Sequence, residues 1–552
     1  MANLEGEGGV KYTQAQGDYF EKRGLSRYAG VWSLWALGVG AVISGHFSGW
    51  NFGFGTGGWG GMLVAGAIIA VMYLCLVYCI AEMSPALPHT GAAYSFARTA
   101  MGPWGGFITG LCENVEYVVT PTVVAYFIGA YLNGILDTAG LGTIYPPYLW
   151  VGTFAVFLLL NILGVALSFR VTMIVTLLSL AILVIFWLSA IPNMDFGRWA
   201  LNIGAGDQSA VIKVADLQAT LATLPPEIQQ AAQSVHEAGG DAVKLTLAQL
   251  GSLPQALKDN ATMSSEILGG NGPMFPFGWW GVLATLPFAV WLFLAIEQLP
   301  LAAEESVDPK RDMPKGILLG MLTLIVSAFM IVLLNPSVIG VGAHKLSTSG
   351  EPLLDGFRAV YGSSWVVLLG IIALTGLIAS FHTILYAMGR QVFSLSRAGY
   401  FPTVLSITGH TYKTPYVAMI VGALVGLGLM FFVYQYVGEG KIGTTLLNMA
   451  VFGAMLSYIL QAVSFIMLRR NHPNIERPYR SPLGVFGATV TIVIAAVTLG
   501  FQLYDPAYRE AILWVVAWFA VGLVWFALVG RNRLILSPEE EFAMEQKNKA
   551  KA

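Results

Sequence analysis

The sequence predicts an all-α membrane protein with about twelve transmembrane helices, arranged as two inverted repeats of five helices that each begin with a broken helix. Three observations support this prediction. The 552-residue chain is 56% hydrophobic and only 11% charged, about half the charge density of an ordinary soluble domain. About a dozen apolar runs reach the length of about 20 residues that a helix needs to cross a bilayer. Two of these runs are interrupted, at corresponding places in the two halves.

The apolar runs divide the chain into two repeats and two further helices. The first repeat, residues 28–191, contains runs with approximate cores 28–54, 60–82, 104–136, 148–167 and 171–191. The second repeat, residues 278–468, contains runs with cores 278–302, 316–334, 364–388, 416–435 and 443–468. Repeats with an odd number of spans are inverted relative to each other, which brings their first helices together at the midplane. The last two runs, within 469–529, are expected to be accessory, packing outside the repeats or at a contact between copies in a homo-oligomer.

Lysine and arginine residues place both chain ends on the same side of the membrane. With the polar N-terminus 1–27 inside, 21 of the 29 Lys and Arg residues lie on the inner side. The C-terminal tail 530–552 is then also inside, because the number of spans is even. Since an excess of Lys and Arg marks cytoplasmic loops, the sequence predicts a multi-pass protein of the plasma (inner) membrane with both termini in the cytoplasm.

Residues 192–277 form the longest stretch without a membrane-length run, and the predicted orientation places them outside. Proline and paired glycines delimit a predicted helix over 226–238, and a second helix is predicted over 243–250. The segment is too long for an ordinary loop. We interpret it as a structured external cap, with a lid that handles ligand or docks a partner as the alternative.

The two interrupted runs indicate where a ligand binds. The first is broken by glycines around Ser44, Gly45 and His46, and the second by Pro300 just after Glu297. Lipid tolerates a loosened helix only where the freed backbone groups face a cavity or a ligand. Paired interruptions of this kind point to the binding site of a secondary transporter. The sequence therefore predicts a carrier.

Other classes of protein are disfavoured. A formal net charge of −2 gives no electrostatic reason to expect a nucleic-acid partner. The sequence has no paired His/Asp spacing and no Gly-x-Ser-x-Gly motif, so we expect no enzyme, no cofactor and no bound metal. A sensor that keeps a carrier's fold is a further alternative, which is weakened because no signalling domain is recognisable after Val529.

Two carboxylates in the third run are the first candidates for chemistry. Glu113 and Glu116 are three residues apart, so both lie on one face of a helix. An ionised side chain at the bilayer centre costs about 2.5–3.5 kcal/mol, so such groups usually face a cavity or a partner. We predict that Glu113, Asn114, Glu116 and Tyr117 bind substrate and that Glu116 also serves ion coupling. The alternative is a purely structural pair.

Several motifs resemble those of the amino acid–polyamine–organocation (APC) transporters and occur in that family's order. They are GAVISGHF (40–47), EMSPALPHTGAAY (82–94), AAEE with DPKRDMP (302–305 and 308–314), SRAGYFP (396–402) and RPYRSP (477–482). Ala92 replaces a glycine usual in the second motif, and the external insertion lies outside the resemblance. The resemblance implies a LeuT-like fold with helices 1 and 6 unwound.

Three further strings most resemble the ethanolamine permease branch: VISG (42–45), GWNFG (49–53) and AIEQLP (295–300). Ethanolamine is an ammonium with a hydroxyl two carbons away, so its carrier needs a carboxylate or aromatic face and hydrogen-bonding groups. An amino acid carrier also needs backbone N–H groups for the substrate carboxylate. The break at Ser44-Gly45-His46 supplies such groups in either case, so it does not separate the two substrates.

The resemblance also implies roles in the second break. Glu297 follows Trp291 by six residues, a spacing similar to that of the family's arginine–agmatine antiporter, in which the aromatic residue covers the substrate. Trp291 would then be an occluding lid, Glu297 a gate or coupling residue, and Ile296 part of the substrate site. Core packing is the alternative for Trp291, and a hydrogen bond across the break is the alternative for Glu297.

The coupling ion is left open between a proton and sodium. Sodium-coupled relatives use backbone oxygens of the first helix and hydroxyls of the eighth, where Ser380 and Thr383 stand. Such residues are also ordinary packing groups between membrane helices. The fifth run lacks the lysine that some proton-coupled relatives have. A neutral His46 accepting a hydrogen bond from substrate is the functional interpretation of that residue, and packing is the alternative.

The leading interpretation is a secondary active transporter that imports a small organic amine, ethanolamine first, by alternating access with proton coupling. Its partners would be the amine, the coupling ion and the lipid bilayer. An amino acid permease or exchanger of the same superfamily is the alternative.

Overall fold

Apolar helices build the protein, as predicted. The computed structural model describes residues 4–5, 7–15, 19–202, 209–218, 220–264 and 272–551. Within these ranges, nine helices are long and apolar enough to cross a membrane. Three shorter apolar helices, Val31–Phe47, Pro146–Ile162 and Gly278–Val290, bring the number to the twelve that the sequence predicts. Each predicted core overlaps one of these helices, although 148–167 runs past the end of Pro146–Ile162 and 278–302 runs past the end of Gly278–Val290. The predicted fold class is confirmed.

The first half consists of two short strands followed by six helices. They are β1 Leu4–Glu5, β2 Lys11–Thr13, α1 Val31–Val42, α2 Ser44–Phe47, α3 Phe54–Ala86, α4 Ala92–Thr138, α5 Pro146–Ile162 and α6 Val165–Ala190. Helix α4 is kinked at Gly102, whose φ of +80° favours glycine. Pro103 then opens the second part of α4, because proline suits a first helical turn. That second part corresponds to the predicted core 104–136.

The insertion folds as a small mixed unit with its own apolar cluster. Its elements are β3 Ser209–Lys213, α7 Val214–Gln218, α8 Pro226–Glu237, β4 Ala242–Thr246, α9 Leu247–Gly251, α10 Gln255–Asp259 and β5 Thr262–Ser264, with an antiparallel sheet in the order β4-β3-β5. Helix α8 confirms the predicted helix 226–238. The predicted helix 243–250 is wrong in its first half and confirmed in its second, where α9 begins at Leu247. Val243 and Leu245 alternate into the cluster beside Ile212, which is the period of a strand.

The second half begins with the other interrupted helix. Its elements are α11 Gly278–Val290, a 3-10 segment Ile296–Glu305, α12 Pro309–Leu334, α13 Ala343–Leu346, α14 Pro352–Tyr361, α15 Ser363–Arg397, α16 Tyr416–Val437, α17 Glu439–Asn471, α18 Gly484–Tyr504, α19 Arg509–Leu528, β6 Leu534–Ile535 and α20 Pro538–Lys551. Helix α4 lies along α15 and α17, while α1 lies among α6, α12 and α15. The two interrupted helices are therefore enclosed by the others.

Both chain ends fold against the same end of the bundle. Strand β1 pairs antiparallel with β2, and β2 pairs parallel with β6, so the N-terminal segment and the tail share one sheet. We call this end the termini face and the opposite end, which carries the insertion, the insertion face. The small sheets at both faces are additions to the all-α architecture that the sequence predicts.

Candidate functional site

The first interruption is present, but its most irregular residues lie beyond the triplet that the sequence indicates. Helix α1 ends at Val42, and the short helix α2 runs over Ser44–Phe47. Ser48 is then extended, and Gly49 adopts φ +96°, a conformation that favours glycine. The chain therefore changes direction at Ser48-Gly49, just after the short helix.

The second interruption is a complete break. Helix α11 ends at Val290, and the chain turns through Trp291 to Ala295 before the segment Ile296–Glu305 begins. Ala295 has φ +83°, which is unfavourable for a residue with a Cβ atom. The surrounding packing must hold this conformation, because nothing in an alanine side chain favours it.

The two interruptions contact each other inside the bundle. A Cβ atom at Gly45 would lie 2.2 Å from the carbonyl oxygen of Trp291, so the two backbones meet at a position that requires glycine. The indole N–H of Trp291 donates to the Ser48 carbonyl over 2.9 Å. This contact holds the Trp291 ring against the end of the first interruption, and its role as a lid stays a prediction.

A buried acidic cluster adjoins the second break. Glu116 on α4 and Glu297 are 0% and 2% exposed, and their carboxyl groups interact electrostatically with each other. Tyr458 of α17 donates to Glu116 Oε1 at 3.5 Å, and its hydroxyl lies 3.0 Å from that of Tyr73 on α3. Glu116 Oε2 and both carboxyl oxygens of Glu297 have no hydrogen-bond partner among the described residues. This pair therefore has three carboxyl oxygens for which the described residues supply no donor in hydrogen-bond geometry.

Glu113 lies one helical turn away and has a different partner. Its Oε2 accepts a 2.8 Å hydrogen bond from Gln391 Nε2 on α15, while its Oε1 has no partner within the described ranges. Tyr117 is buried next to the same carboxyl groups, and its hydroxyl also lacks a partner there. In the part of the chain that the structure describes, no Lys or Arg forms a salt bridge with Glu113, Glu116 or Glu297. Among the described residues, the cluster thus has no cationic counterpart.

Three of the predicted substrate residues lie elsewhere. Asn114 lines a bilayer-facing groove between α4, α16 and α19. Ile296 packs against Gly38 of α1 and Gly320 of α12. His46 uses both ring nitrogens, with Nε2 3.0 Å from the Leu292 carbonyl and Nδ1 3.1 Å from the Ser327 hydroxyl. Because a carbonyl only accepts, Nε2 donates and Nδ1 accepts, and His46 joins the two interruptions instead of facing the carboxyl groups.

The serine and threonine residues predicted for binding and coupling join the first interruption to α15. Ser44 donates to the Ser380 hydroxyl over 2.8 Å, and Ser380 donates to the Ala41 carbonyl of α1. Thr383 instead donates to Ala379 within its own helix at 2.8 Å. Ser380 thus contacts a backbone oxygen of the first helix, whereas the Thr383 hydroxyl bonds within α15. A role in ion coupling stays a prediction for both.

Sequence reasoning missed Tyr73, Tyr458, Gln298 and Gln391. Gln298 is buried beside Glu297, and neither atom of its amide group has a partner among the described residues. A tyrosine within an apolar helix is a weak signal, because its hydroxyl requires a polar partner when it is buried. The sequence could not show that helices α3, α15 and α17 bring these groups to the same place.

The insertion face is closed above the cluster. Asn51 Nδ2 donates to the Leu346 and Ser349 carbonyls at 2.5 and 2.8 Å, which fixes the first interruption to the segment around α13. Tyr131 of α4 donates to the Phe47 carbonyl over 2.7 Å. Together with Trp291, these contacts separate the acidic cluster from solvent on that side.

The termini face is closed by two ion pairs, one fully buried and one whose Glu304 side chain is 23% exposed. Arg390 lies 2.8 Å from Glu305, which also accepts a hydrogen bond from Tyr386. Arg397 lies 2.6 Å from the neighbouring Glu304. Both pairs fix the end of Ile296–Glu305 to α15. Since the other face is closed as well, the structure shows an occluded arrangement.

Shortening Trp291 tests its predicted role as a lid. We expect Trp291→Phe to slow transport several-fold because the ring remains but its N–H bond to Ser48 is lost. Trp291→Ala should slow it by about tenfold or more, since no group would cover the cluster. Uptake rates measured beside thermal stability separate a gating effect from misfolding. Trp280→Ala is the control because Trp280 is 56% exposed; normal rates in both Trp291 variants would rule out the lid.

Comparison with known proteins agrees with this architecture. A family model described as "Amino acid permease" matches residues 30–528. The chain is 25% identical to an uncharacterized transporter of Rhizobium meliloti (strain 1021), over 91% of this chain and 92% of that protein. It is 21% identical to the methylthioribose transporter of Bacillus subtilis (strain 168), over 94% and 96% of the two chains. It is 22% identical to the branched-chain amino acid permease BcaP of the same organism, over 93% and 94%.

Among solved structures, the chain is similar to Mhp1, a nucleobase-cation-symport-1 family transporter in a closed conformation. The identity is 15% and the TM-score 0.44, over 95% of this chain and 99% of that one. The family model, by contrast, spans the chain from the first interrupted helix to the last apolar helix. The protein therefore belongs to the amino acid permease family of the APC superfamily and is a multi-pass membrane transporter.

Proposed function

We propose that the protein imports a small organic amine, with ethanolamine as the first candidate, by alternating access. The observation that carries this proposal is the buried cluster of Glu113, Glu116 and Glu297, which has no salt bridge to Lys or Arg among the described residues. Buried carboxylates require a partner, and a cationic substrate supplies one. The ethanolamine permease strings in the sequence point to the same substrate.

The cluster supplies acceptors for the donors of a primary ammonium. Among the described residues, Glu113 and Glu116 each offer one oxygen without a partner and Glu297 offers two, and an ammonium carries three N–H donors. The hydroxyl of Tyr117 and the amide of Gln298, which also lack partners in the described part of the chain, would serve the hydroxyl of ethanolamine. A substrate carboxylate, by contrast, would be repelled by this cluster unless it lay well away from it.

The same pair accounts for proton coupling. Two adjacent carboxylates without a cation repel each other, so we propose that the empty site holds a shared proton between Glu116 and Glu297. With one shared proton the pair keeps one negative charge, which an entering ammonium would neutralise. Substrate and proton would then occupy the pair together and move inward together.

The orientation follows from the charges. The termini face would be cytoplasmic, because 21 of the 29 Lys and Arg residues lie on that side of the predicted spans. In the same proposal residues 28–191 and 278–468 form the two repeats, 469–529 supply two accessory helices and 192–277 form an external cap. The membrane would be the plasma (inner) membrane.

An amino acid substrate is the second candidate, and specific observations favour it. Two of the similar proteins are named a branched-chain amino acid permease and a probable GABA permease. The first interruption is also placed to offer backbone N–H groups to a carboxylate. In this case the ammonium would still be near Glu297, and the carboxylate would lie at Ser44-Gly45.

Uptake of labelled ethanolamine into proteoliposomes tests the proposal. An inward proton gradient would be imposed with and without sodium, and choline, alanine and arginine would compete. We expect proton-dependent accumulation that the amino acids do not inhibit. Absence of ethanolamine uptake, together with strong uptake or exchange of an amino acid, would overturn the amine proposal and leave the family assignment unchanged.

A further inference from the structure

The C-terminal helix α20 carries two carboxylates into the interior of the termini face. Glu539 and Glu540 are 1% and 0% exposed, although the tail has the composition of a solvated segment. A buried carboxylate needs hydrogen-bond and charge partners. The partners of these two residues differ, and so do the roles that they indicate.

Glu540 anchors the helix. It accepts hydrogen bonds from the hydroxyls of Tyr12, Tyr94 and Tyr400 at 2.8, 3.1 and 2.9 Å, and from Arg98 Nε at 2.5 Å. These partners belong to β2, to α4 and to the turn after α15. Glu540 thus connects the C-terminal tail to β2, to α4 and to the turn after α15.

Glu539 shares a cation with the end of the second interruption. Arg397 of α15 forms an ion pair with Glu539 and two hydrogen bonds with Glu304, at 2.6 and 2.9 Å. The Arg397 side chain is only 4% exposed. Glu304 belongs to Ile296–Glu305, so one buried guanidinium connects the interrupted helix, α15 and the tail.

Glu304 has a further hydrogen bond besides its contacts with Arg397. The Thr90 N–H donates to Glu304 Oε1 over 3.0 Å, and the Glu304 side chain is 23% exposed.

We propose that Glu539 is a positioning residue of the transport cycle, which keeps Arg397 paired when Glu304 moves away. Opening of the termini face requires Ile296–Glu305 to separate from α15, because these two elements close that face. Without another partner, the separation would leave a buried cation uncompensated, which is strongly unfavourable. Glu539 stays in place because Glu540 anchors its helix, so Arg397 remains neutralised and opening costs less.

This role differs from that of a simple clamp and predicts the opposite effect. We call the contact between Ile296–Glu305 and α15 the gate. If Glu539 only clamped this contact, removing its charge would loosen the gate. Neutralising Glu539 should instead tighten the gate, because Arg397 would then depend on Glu304 alone. Neutralising Glu304 should loosen it, because Arg397 would keep Glu539. The inference rests on the transporter family and on the geometry of the gate, and it does not depend on the identity of the substrate.

Hydrogen–deuterium exchange of the full-length protein in proteoliposomes tests this inference. For Glu539→Gln we expect amide exchange in residues 296–305 to slow by about tenfold, and for Glu304→Gln to speed up by about tenfold, because exchange follows the population of the open form. Glu541→Gln is the matched control, since Glu541 lies on the same helix and is exposed.

The direction of the change in amide exchange rate decides whether the proposal holds. Slower amide exchange in Glu539→Gln together with faster amide exchange in Glu304→Gln supports the proposal that Arg397 stays paired with Glu539 when Glu304 moves away. Unchanged or faster exchange in Glu539→Gln overturns it. If Glu539→Gln does not fold, Glu304→Gln still tests the account, because slower or unchanged amide exchange in that variant contradicts it. No substrate is added, so failure of the ethanolamine proposal would be a separate result.

Discussion

Replacing Glu116 with glutamine should lower ethanolamine uptake at subsaturating substrate by about 30-fold or more. Glu116 is fully buried and neighbours Glu297, with no Lys or Arg in a salt bridge to either residue among those described. Removing one partner of a buried charge pair costs about 2 kcal/mol or more, and about 1.4 kcal/mol corresponds to a factor of ten. The amide keeps the shape of the side chain, so folding should be retained.

The control for this variant is Glu227→Gln, which makes the same chemical change on the exposed surface of α8. We expect its uptake to match the wild type. Equilibrium binding should show the loss in Glu116→Gln as weaker affinity, with normal yield and thermal stability. Unchanged affinity would remove Glu116 from the substrate site, whereas a loss of thermal stability alone would assign it a structural role.

Gly45→Ala should reduce transport to about a tenth of the wild-type rate or less and should lower thermal stability. The added Cβ would lie 2.2 Å from the Trp291 oxygen and 3.2 Å from its carbonyl carbon. Both atoms belong to the backbone, so the interrupted helices themselves must move apart. Overpacking in a protein interior costs about 1–3 kcal/mol, and a contact between two backbones offers little room for relief.

Gly428→Ala is the matched control for this variant. Gly428 lies within α16, and a Cβ there would meet nothing within 4 Å. We expect this substitution to be neutral or slightly stabilising, because alanine favours a helix more than glycine does. If Gly45→Ala behaved like Gly428→Ala in transport and melting temperature, the contact between the two interruptions would not exist in the working protein.

The number and placement of the helices could be predicted because the bilayer imposes a length and a hydrophobicity on every span. The second break was predictable only as a region: Pro300 lies inside Ile296–Glu305 and the chain turns before it, over 291–295, while Pro287 is accommodated within α11. In the first run the glycines marked the region, but they did not show that α2 would form over Ser44–Phe47 and that the main irregularity would follow at Gly49. Glycine permits a break without fixing its position.

The candidate site was predictable in part, because a carboxylate in a membrane segment is costly wherever the segment packs. That argument identified Glu113 and Glu116, and the family resemblance added Glu297, which the structure brings to the same region. It could not identify Tyr458 or Gln391, because their positions depend on how α17 and α15 cross α4. The orientation of His46 toward Ser327 is likewise a property of packing between helices.

The tail illustrates a different limit. A segment rich in Glu and Lys reads as solvated, and nothing local in the sequence distinguishes Glu539 and Glu540 from the exposed Glu541. Their burial depends on Arg397 and Arg98, which lie more than a hundred residues earlier in the chain. Long-range charge pairing of this kind requires the structure.

Equilibrium binding of ethanolamine and serine to the purified protein tests the central claim, that the Glu116–Glu297 cluster selects a cation. Serine is ethanolamine with a carboxylate on the carbon next to nitrogen, so the two ligands differ in one charge at the relevant place. We expect ethanolamine to bind at least about tenfold more tightly, because the cluster repels the added carboxylate. Serine binding as tightly as ethanolamine, or more tightly, would contradict this account and show that the site recognises an amino acid.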